Sequence, residues 1–449
     1  MSMILNTNMD SVRTLNQMTS NHTMANKYLQ KIATGMKIRN AQDDASAYSI
    51  SERMRVKIRA LEQAHSNTQN GSNMMKTAEG AVSAILDTLR TLKEKAIDAA
   101  NDSNTDEDRR MIQKEFDQLV DAIDDDALIT FNNKYLIDGT RNSAFVPAKT
   151  IFLNRSLSED TTLTTVLTAL KNRAGDSLGI QSTDYFQLSW VMNGNLSTSS
   201  GQVGSKNLEE LFSEMTDAAK ANAADLQTTT AGQIMGITDK FGRDVYTPDK
   251  SQGIVISSKV AGEAAIQDQI VGLAISITDA EGNVKKSANA ALDQFKQYQR
   301  AETKTGDQAL SLHTGADSNF ATKFALSDMR AYALGLKGKD NNVISISTKA
   351  AANAAINVLD NVIEKVLDQQ TMLGAALSRL EHTSTNLTTS FTNDQASESV
   401  IRDADMAVEI AGYVKYSVLT QSSQAMLAQA NQNPTNVLTL LNSGGNESE

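Results

Sequence analysis

The chain has 449 residues, no cysteine, a net charge of −11 and a pI near 5.0. The acidic balance argues against nucleic acid as the main partner, because phosphate binding needs a basic face. Without cysteine there is no disulfide, thiol nucleophile or thiolate metal site, and no window approaches the roughly 18 apolar residues of a membrane span.

The N-terminus lacks the basic start and apolar core of a cleaved signal peptide. Residues 1–40 predict an amphipathic helix, with Leu15, Met18, His22, Ala25, Leu29 and Ile32 at three-four spacing among many asparagines. So few large apolar groups leave such a helix marginal by itself, and it is expected to order fully only on assembly. Gly35 interrupts the pattern, and Met36–Asp44 reads as a linker.

From Ala47 to Ala99 one apolar seam repeats every 3.5 residues for about seven heptads, and only Lys57, Thr68 and Gly71 fall outside the apolar set. A helix of that extent is a rod of roughly 80 Å, which must bury its seam against other long helices. Ile112, Phe116, Leu119 and Ile123 continue the phase after Thr105, an N-cap candidate followed by Asp106, Glu107 and Asp108 where the helix dipole favours carboxylates. Residues 129–140 leave the helical phase and end in a turn.

From 141 to 308 the heptads vanish. Short strands are expected at Thr150–Leu153, Tyr185–Met192, Gly253–Ser257 and Leu273–Thr278, and helices at Thr162–Asn172, Asn207–Ala223 and Ser287–Arg300. Residues 310–326 read as a β-hairpin turned by Gly315, Asp317 and Asn319, followed by a short helix that Gly335 stops. A second rod runs from Ile356 to Phe391. The C-terminal stretch Tyr416–Asn446 has no charge; Val418, Leu419, Met426, Leu427, Val437, Leu438 and Leu441 alternate there with polar residues. Asn433-Pro434 reads as an N-cap and first turn restarting a final helix. The fold class is therefore mainly α: a long-helix coiled-coil bundle formed by both chain ends, with a β-hairpin and an inserted α+β domain. Residues 1–40 and 402–449 make the terminal helices, 41–140 and 309–401 the rod, and 141–308 the insert.

Several stretches resemble bacterial flagellin. They are Ile32–Ala45, Phe131–Gly139, Gly315–Asp317, Ala325–Leu336, Leu380–Thr383, Arg402–Asp405 and Ala428–Pro434, in the family's order and spacing on both sides of the insert. The resemblance implies a structural subunit that self-assembles into an extracellular filament for motility, terminal helices forming an inner tube, rods a wall, and the insert facing outward. It implies export of the unfolded chain by the flagellar type III apparatus, and contacts with an export chaperone and with junction and cap proteins. Related terminal helices make a hook–filament junction protein the nearest alternative, and an insert with adhesive or enzymatic activity another. In flagellins recognised by Toll-like receptor 5, an arginine, a leucine and a glutamate face outward; the matching positions here are Thr91, Lys95 and Glu115, and only Glu115 fits. Losing the guanidinium and the apolar anchor predicts weak recognition.

No catalytic constellation emerges. His22, His65, His313 and His382 include no H-E-x-x-H pair, so the metalloprotease signature that some flagellin inserts are thought to carry is missing. Asp124-Asp125-Asp126 lacks the spaced ligands and glycine of a calcium loop and reads as a solvated helix end. No phosphate loop, cofactor site or metal site is expected, and the histidines read as structural.

Overall fold

A computed structural model describes residues 8–142, 150–154, 156–158, 160–218, 225–229, 234–238, 244–246, 253–257, 270–300, 308–338 and 340–444. Its helices are α1 (Met9–Thr34), α2 (Ala45–Ala100), α3 (Asp106–Ala127), α4 (Leu208–Ala218), α5 (Lys286–Leu292), α6 (Ala331–Leu334), α7 (Lys349–Arg402) and α8 (Met406–Gly444). The chain divides into two compact units. The first combines the chain up to Ser66, Gly315–Phe320 and the chain from Ser384; the second combines Asn67–Thr314 and Ala321–Thr383.

In the first unit α1 starts at Asn8, whose side chain caps the Ser11 amide, and stops at Gly35, which takes the left-handed φ of +67° that only glycine adopts without cost. The two linkers are tied together: Met36 bridges Asp403, the Lys37 amide donates to the Arg402 carbonyl at 2.7 Å, and the Ala404 amide donates to the Gly35 carbonyl at 2.9 Å. The buried Arg402 guanidinium lies 2.6 Å from Glu52 Oε1 and over the Tyr48 ring. Leu61 and Ala64 of α2 pack on Leu387 of α7, and Lys57, the charged exception in the seam, is exposed and pairs with Asp394 at 3.0 Å. The helix expected to restart at Asn433-Pro434 does not break there; α8 runs through it.

The second unit buries the seams of α2, α3 and α7 in one core, with Ile85, Leu89, Leu92, Phe116, Ile123, Val358 and Val366 fully enclosed. The seam's other exceptions, Thr68 and Gly71, are also buried. Gly71 lacks a side chain because Leu312 occupies the space a Cβ would need. Thr105 and Asp108 form a capping box at the start of α3. Buried Arg109 closes the preceding turn by donating to the carbonyls of Ala99 at 2.8 Å and Asn101 at 3.0 Å.

The described strands all belong to this unit. Two short ones, β1 (Thr130–Phe131) and β2 (Lys134–Tyr135), pair with each other; then come β3 (Ile151–Asn154), β4 (Tyr185–Met192), β5 (Asn195–Gln202), β6 (Asp225–Thr229), β7 (Ile234–Thr238), β8 (Asp244–Tyr246), β9 (Gly253–Ser257), β10 (Ile270–Thr278), β11 (Phe295–Gln299) and the hairpin β12 (Leu310–His313) with β13 (Ala321–Phe324). One antiparallel sheet runs β10-β4-β5, another β11-β3-β9-β6, and β7 pairs with β8. Trp190, Phe186 and Phe212 fill the insert's core, where Phe212 meets Phe295 edge-on at 5.3 Å. The insert is bonded to α7: Asn357 Nδ2 donates to the Leu273 carbonyl at 3.0 Å, and Asn361 Oδ1 accepts from the Gln297 amide at 3.1 Å.

Two helices expected in the insert are corrected. Thr162–Asn172 forms only a 3-10 turn at Leu167–Ala169, because its β-branched threonines bond locally, the Thr162 amide donating to Thr165 Oγ1 at 2.9 Å. Ser287–Arg300 is helical only as part of α5; Phe295–Gln299 has period-two patterning and pairs with β3. Within Asn207–Ala223, α4 covers Leu208–Ala218, and 219–223 lie outside the described residues.

Candidate assembly interface

Helices α1 and α8 pair antiparallel along a seam whose three-four spacing is kept mostly by polar and small residues. On α1 it runs through Ser11, Thr14, Met18, Asn21, Ala25, Tyr28 and Ile32; on α8 through Glu409, Gly412, Tyr416, Thr420, Ser423, Leu427 and Ala430. Asn8 Nδ2 donates to the Ala430 carbonyl at 2.8 Å, Ser11 Oγ to Asn431 Oδ1 at 2.8 Å, and Asn21 Nδ2 to Ser423 Oγ at 3.1 Å. Lys31 faces Glu409 at 3.5 Å, and Tyr28 stacks on Tyr416 with centroids 5.5 Å apart. Gly412 admits the Tyr28 ring, which would collide with any Cβ there.

Most of the large aliphatic residues lie elsewhere. Val12, Leu15, Met24 and Leu29 of α1 and Val408, Ile410, Val414, Val418, Leu419 and Met426 of α8 are all exposed, Val418 at 57%. A coiled coil normally does the reverse, because burying apolar area is what drives pairing. Of the residues expected to form the assembly interface, Ala25 is buried and Met18, Ile32 and Leu427 are half-buried in the seam, whereas Leu15, His22, Leu29, Val418, Leu419 and Met426 are exposed. The side chains of Val437, Leu438 and Leu441 lie outside the described residues. Asn8, Asn21, Tyr28, Gly412 and Ser423 went unmarked by pattern reading, though the same spacing one stripe over runs through them.

An ion pair between Arg402 and Glu52 sits where the two linkers meet. The hydrogen bond from Arg402 holds the Glu52 carboxyl below the usual carboxylate range, against a smaller opposing desolvation. On the rod, Lys95 Nζ donates to Glu115 Oε2 at 2.7 Å, and the Thr91 hydroxyl is turned to the Asp87 carbonyl at 3.2 Å. The acidic run is not a merely solvated helix end: Asp124 accepts from the Ala331 amide at 2.7 Å and from Lys337 Nζ at 2.6 Å. Among the described residues no three His, Asp or Glu side chains gather as metal ligands, and no helix is long and apolar enough to cross a membrane.

Known proteins match the parts that form this arrangement. The model for the bacterial flagellin N-terminal helical region matches residues 5–142, and that for the flagellin C-terminal helical region matches residues 356–441. A flagellin of Clostridium tyrobutyricum is 30% identical over 441 residues, covering 96% of this chain and 99% of that protein. The chain belongs to the bacterial flagellin family. As a flagellin it is a structural subunit of the flagellar filament. The flagellin of Bacillus subtilis (strain 168) is 28% identical over 442 residues, 98% of this chain and all of that one. Among solved structures, flagellar hook associated protein-3 from Legionella pneumophila aligns with a TM-score of 0.32 at 15% identity, over 77% of this chain and 97% of that one.

Proposed function

We propose that this flagellin polymerises through the uncovered faces of α1 and α8. The polar seam fixes how one copy's two ends pair, and the apolar residues it leaves outside are buried by neighbouring copies. The exposure of Val12, Leu15, Leu29, Val414 and Val418 around a seam of Asn, Ser and Gly carries this reading. Exposed apolar side chains gathered on paired helices mark a surface that a partner covers. Residues 1–40 and 402–449 then form the inner tube, 41–140 and 309–401 the surrounding wall, and 141–308 the outward-facing part.

The chain travels unfolded through the flagellar type III apparatus, met by an export chaperone before and by cap and junction proteins after. The charge-free stretch Tyr416–Asn446 suits a lumen that must not hold passing chains. Toll-like receptor 5 recognises this surface weakly, since Glu115, the single matching position, is already paired with Lys95. Thr91→Arg with Lys95→Leu should raise receptor signalling, and an unchanged signal would refute that part.

The deciding experiment seeds purified chain with fragments of its own filaments, beside a version lacking 1–40 and 402–449. Electron microscopy should show long tubes from the full chain alone. Soluble monomers from both would sink the reading and favour a junction protein.

A further inference from the structure

Among the described residues five methionines are exposed, and four of them stand on the terminal pair: Met9 at 50%, Met24 at 40%, Met406 at 40% and Met426 at 60%. The fifth, Met111 at 55%, is on α3, whereas Met75, Met215 and Met329 are fully buried in the second unit. The chain has no cysteine, so these thioethers are its foremost accessible soft nucleophiles toward peroxide. One turn away on the same faces, Val12 beside Met9 and Ile410 beside Met406 are exposed and offer no hydrogen-bond donor side chain to a sulfoxide oxygen. A sulfoxide carried into a contact built from such residues would be a buried acceptor without a partner.

We propose that Met9, Met24, Met406 and Met426 are oxidation sites that gate addition of the subunit to a filament. The sulfur lone pair attacks one oxygen of hydrogen peroxide, the O–O bond breaks, and a proton shift leaves a sulfoxide and water; sulfur is oxidised and peroxide reduced. The polar, chiral sulfoxide then opposes burial of that face. Because neighbouring copies cover the same sulfurs, a subunit is vulnerable only before it joins. This inference rests on the uncovered faces of α1 and α8 being the assembly surface.

The test exposes free subunits and finished filaments to hydrogen peroxide, maps added oxygen by peptide mass spectrometry, and follows seeded growth. The four sites should oxidise in free subunits and be protected in filaments, with Met111 as the exposed reference and Met75 as the buried one. Growth should slow about tenfold or more for each sulfoxide buried. Treatment with methionine sulfoxide reductases for both epimers should restore it. A subunit with all four changed to leucine, a volume-conserving swap, should keep growing after peroxide. Equal oxidation in filaments and subunits, or a fourfold variant as sensitive as the parent, would overturn the proposal. Should that variant add poorly without peroxide, the reductase arm decides: recovery supports the gate and no recovery refutes it. Untreated parent that fails to extend seeds would instead sink the assembly reading.

Discussion

Asn8 Nδ2 donates to the Ala430 carbonyl at 2.8 Å, and that carbonyl is the one Pro434 leaves without its helical N–H. The oxygen of Asn8 meanwhile caps the Ser11 amide at 3.0 Å. One side chain thus starts α1 and mends α8, which is why α8 passes Pro434 without the expected restart. Asn8→Ala should cost about 1–2 kcal/mol in pairing of the two helices, seen as faster hydrogen exchange at both places. Asn8→Asp keeps the cap and loses the donor, so only amides near Ala430 should exchange faster.

Asn21 is buried in the seam opposite Ser423, whose hydroxyl also bonds its own helix at the Leu419 carbonyl, 2.7 Å away. Asn21→Leu therefore strands no partner and should stabilise the pair by about 1 kcal/mol. It should also loosen register, since a buried polar pair in the seam penalises sliding. Chemical denaturation followed by helicity should show the stabilisation, and electron microscopy of seeded growth should show slower and less uniform filaments.

Glycine substitutions should act with opposite signs along the long helices. A Cβ at Gly80 or Gly374 meets nothing within 4 Å, so Gly80→Ala and Gly374→Ala should each stabilise by about 0.5–1 kcal/mol. At Gly412 the Cβ meets the Tyr28 ring, which cannot yield without leaving Tyr416. Gly412→Ala should destabilise by about 1–3 kcal/mol, and thermal melts of the three variants separate the cases.

Acid should loosen the joint at Arg402. Glu52 has a folded-state pKa below its unfolded value of about 4.3. Between those values the unfolded chain binds the extra proton, so this stability is present above the unfolded value and disappears as pH falls through the folded one. The hydrogen bonds from Lys349 to Asp102 and from Thr105 to Asp108 lower those carboxyls in the same direction. Denaturation profiles between neutral and acid pH should lose part of their slope in Glu52→Gln, with Arg402 left facing a neutral partner.

The rods were legible because large apolar residues repeat at 3.5 and end up inside; even Thr68 and Gly71 kept the phase. The terminal helices were legible as helices, but the stripe was displaced: Leu15, Leu29 and Val418 marked a face that one copy leaves bare, while Asn21, Gly412 and Ser423 marked the true internal contact. Apolar spacing reports what is buried in the end, and in the proposed assembly these residues are buried by other copies. In the insert, Tyr185–Met192 and Gly253–Ser257 were readable as strands. Asn195–Gln202 was not, since only Leu196 is a large apolar residue; its pairing follows from the Asn193-Gly194 turn, both residues at positive φ.

The bonded linkers, with Met36 held to Asp403 and Lys37 to Arg402, have a mechanical consequence. A lone peptide segment transmits tension but hardly any torsion, because every φ and ψ along it turns easily. Two segments laced side by side behave as a ribbon, which resists twisting about its long axis. Torque applied to the terminal pair is then delivered to the first turns of α2 and the last turn of α7 through a stiff coupling, with the Arg402 guanidinium seated on Glu52 as its pin.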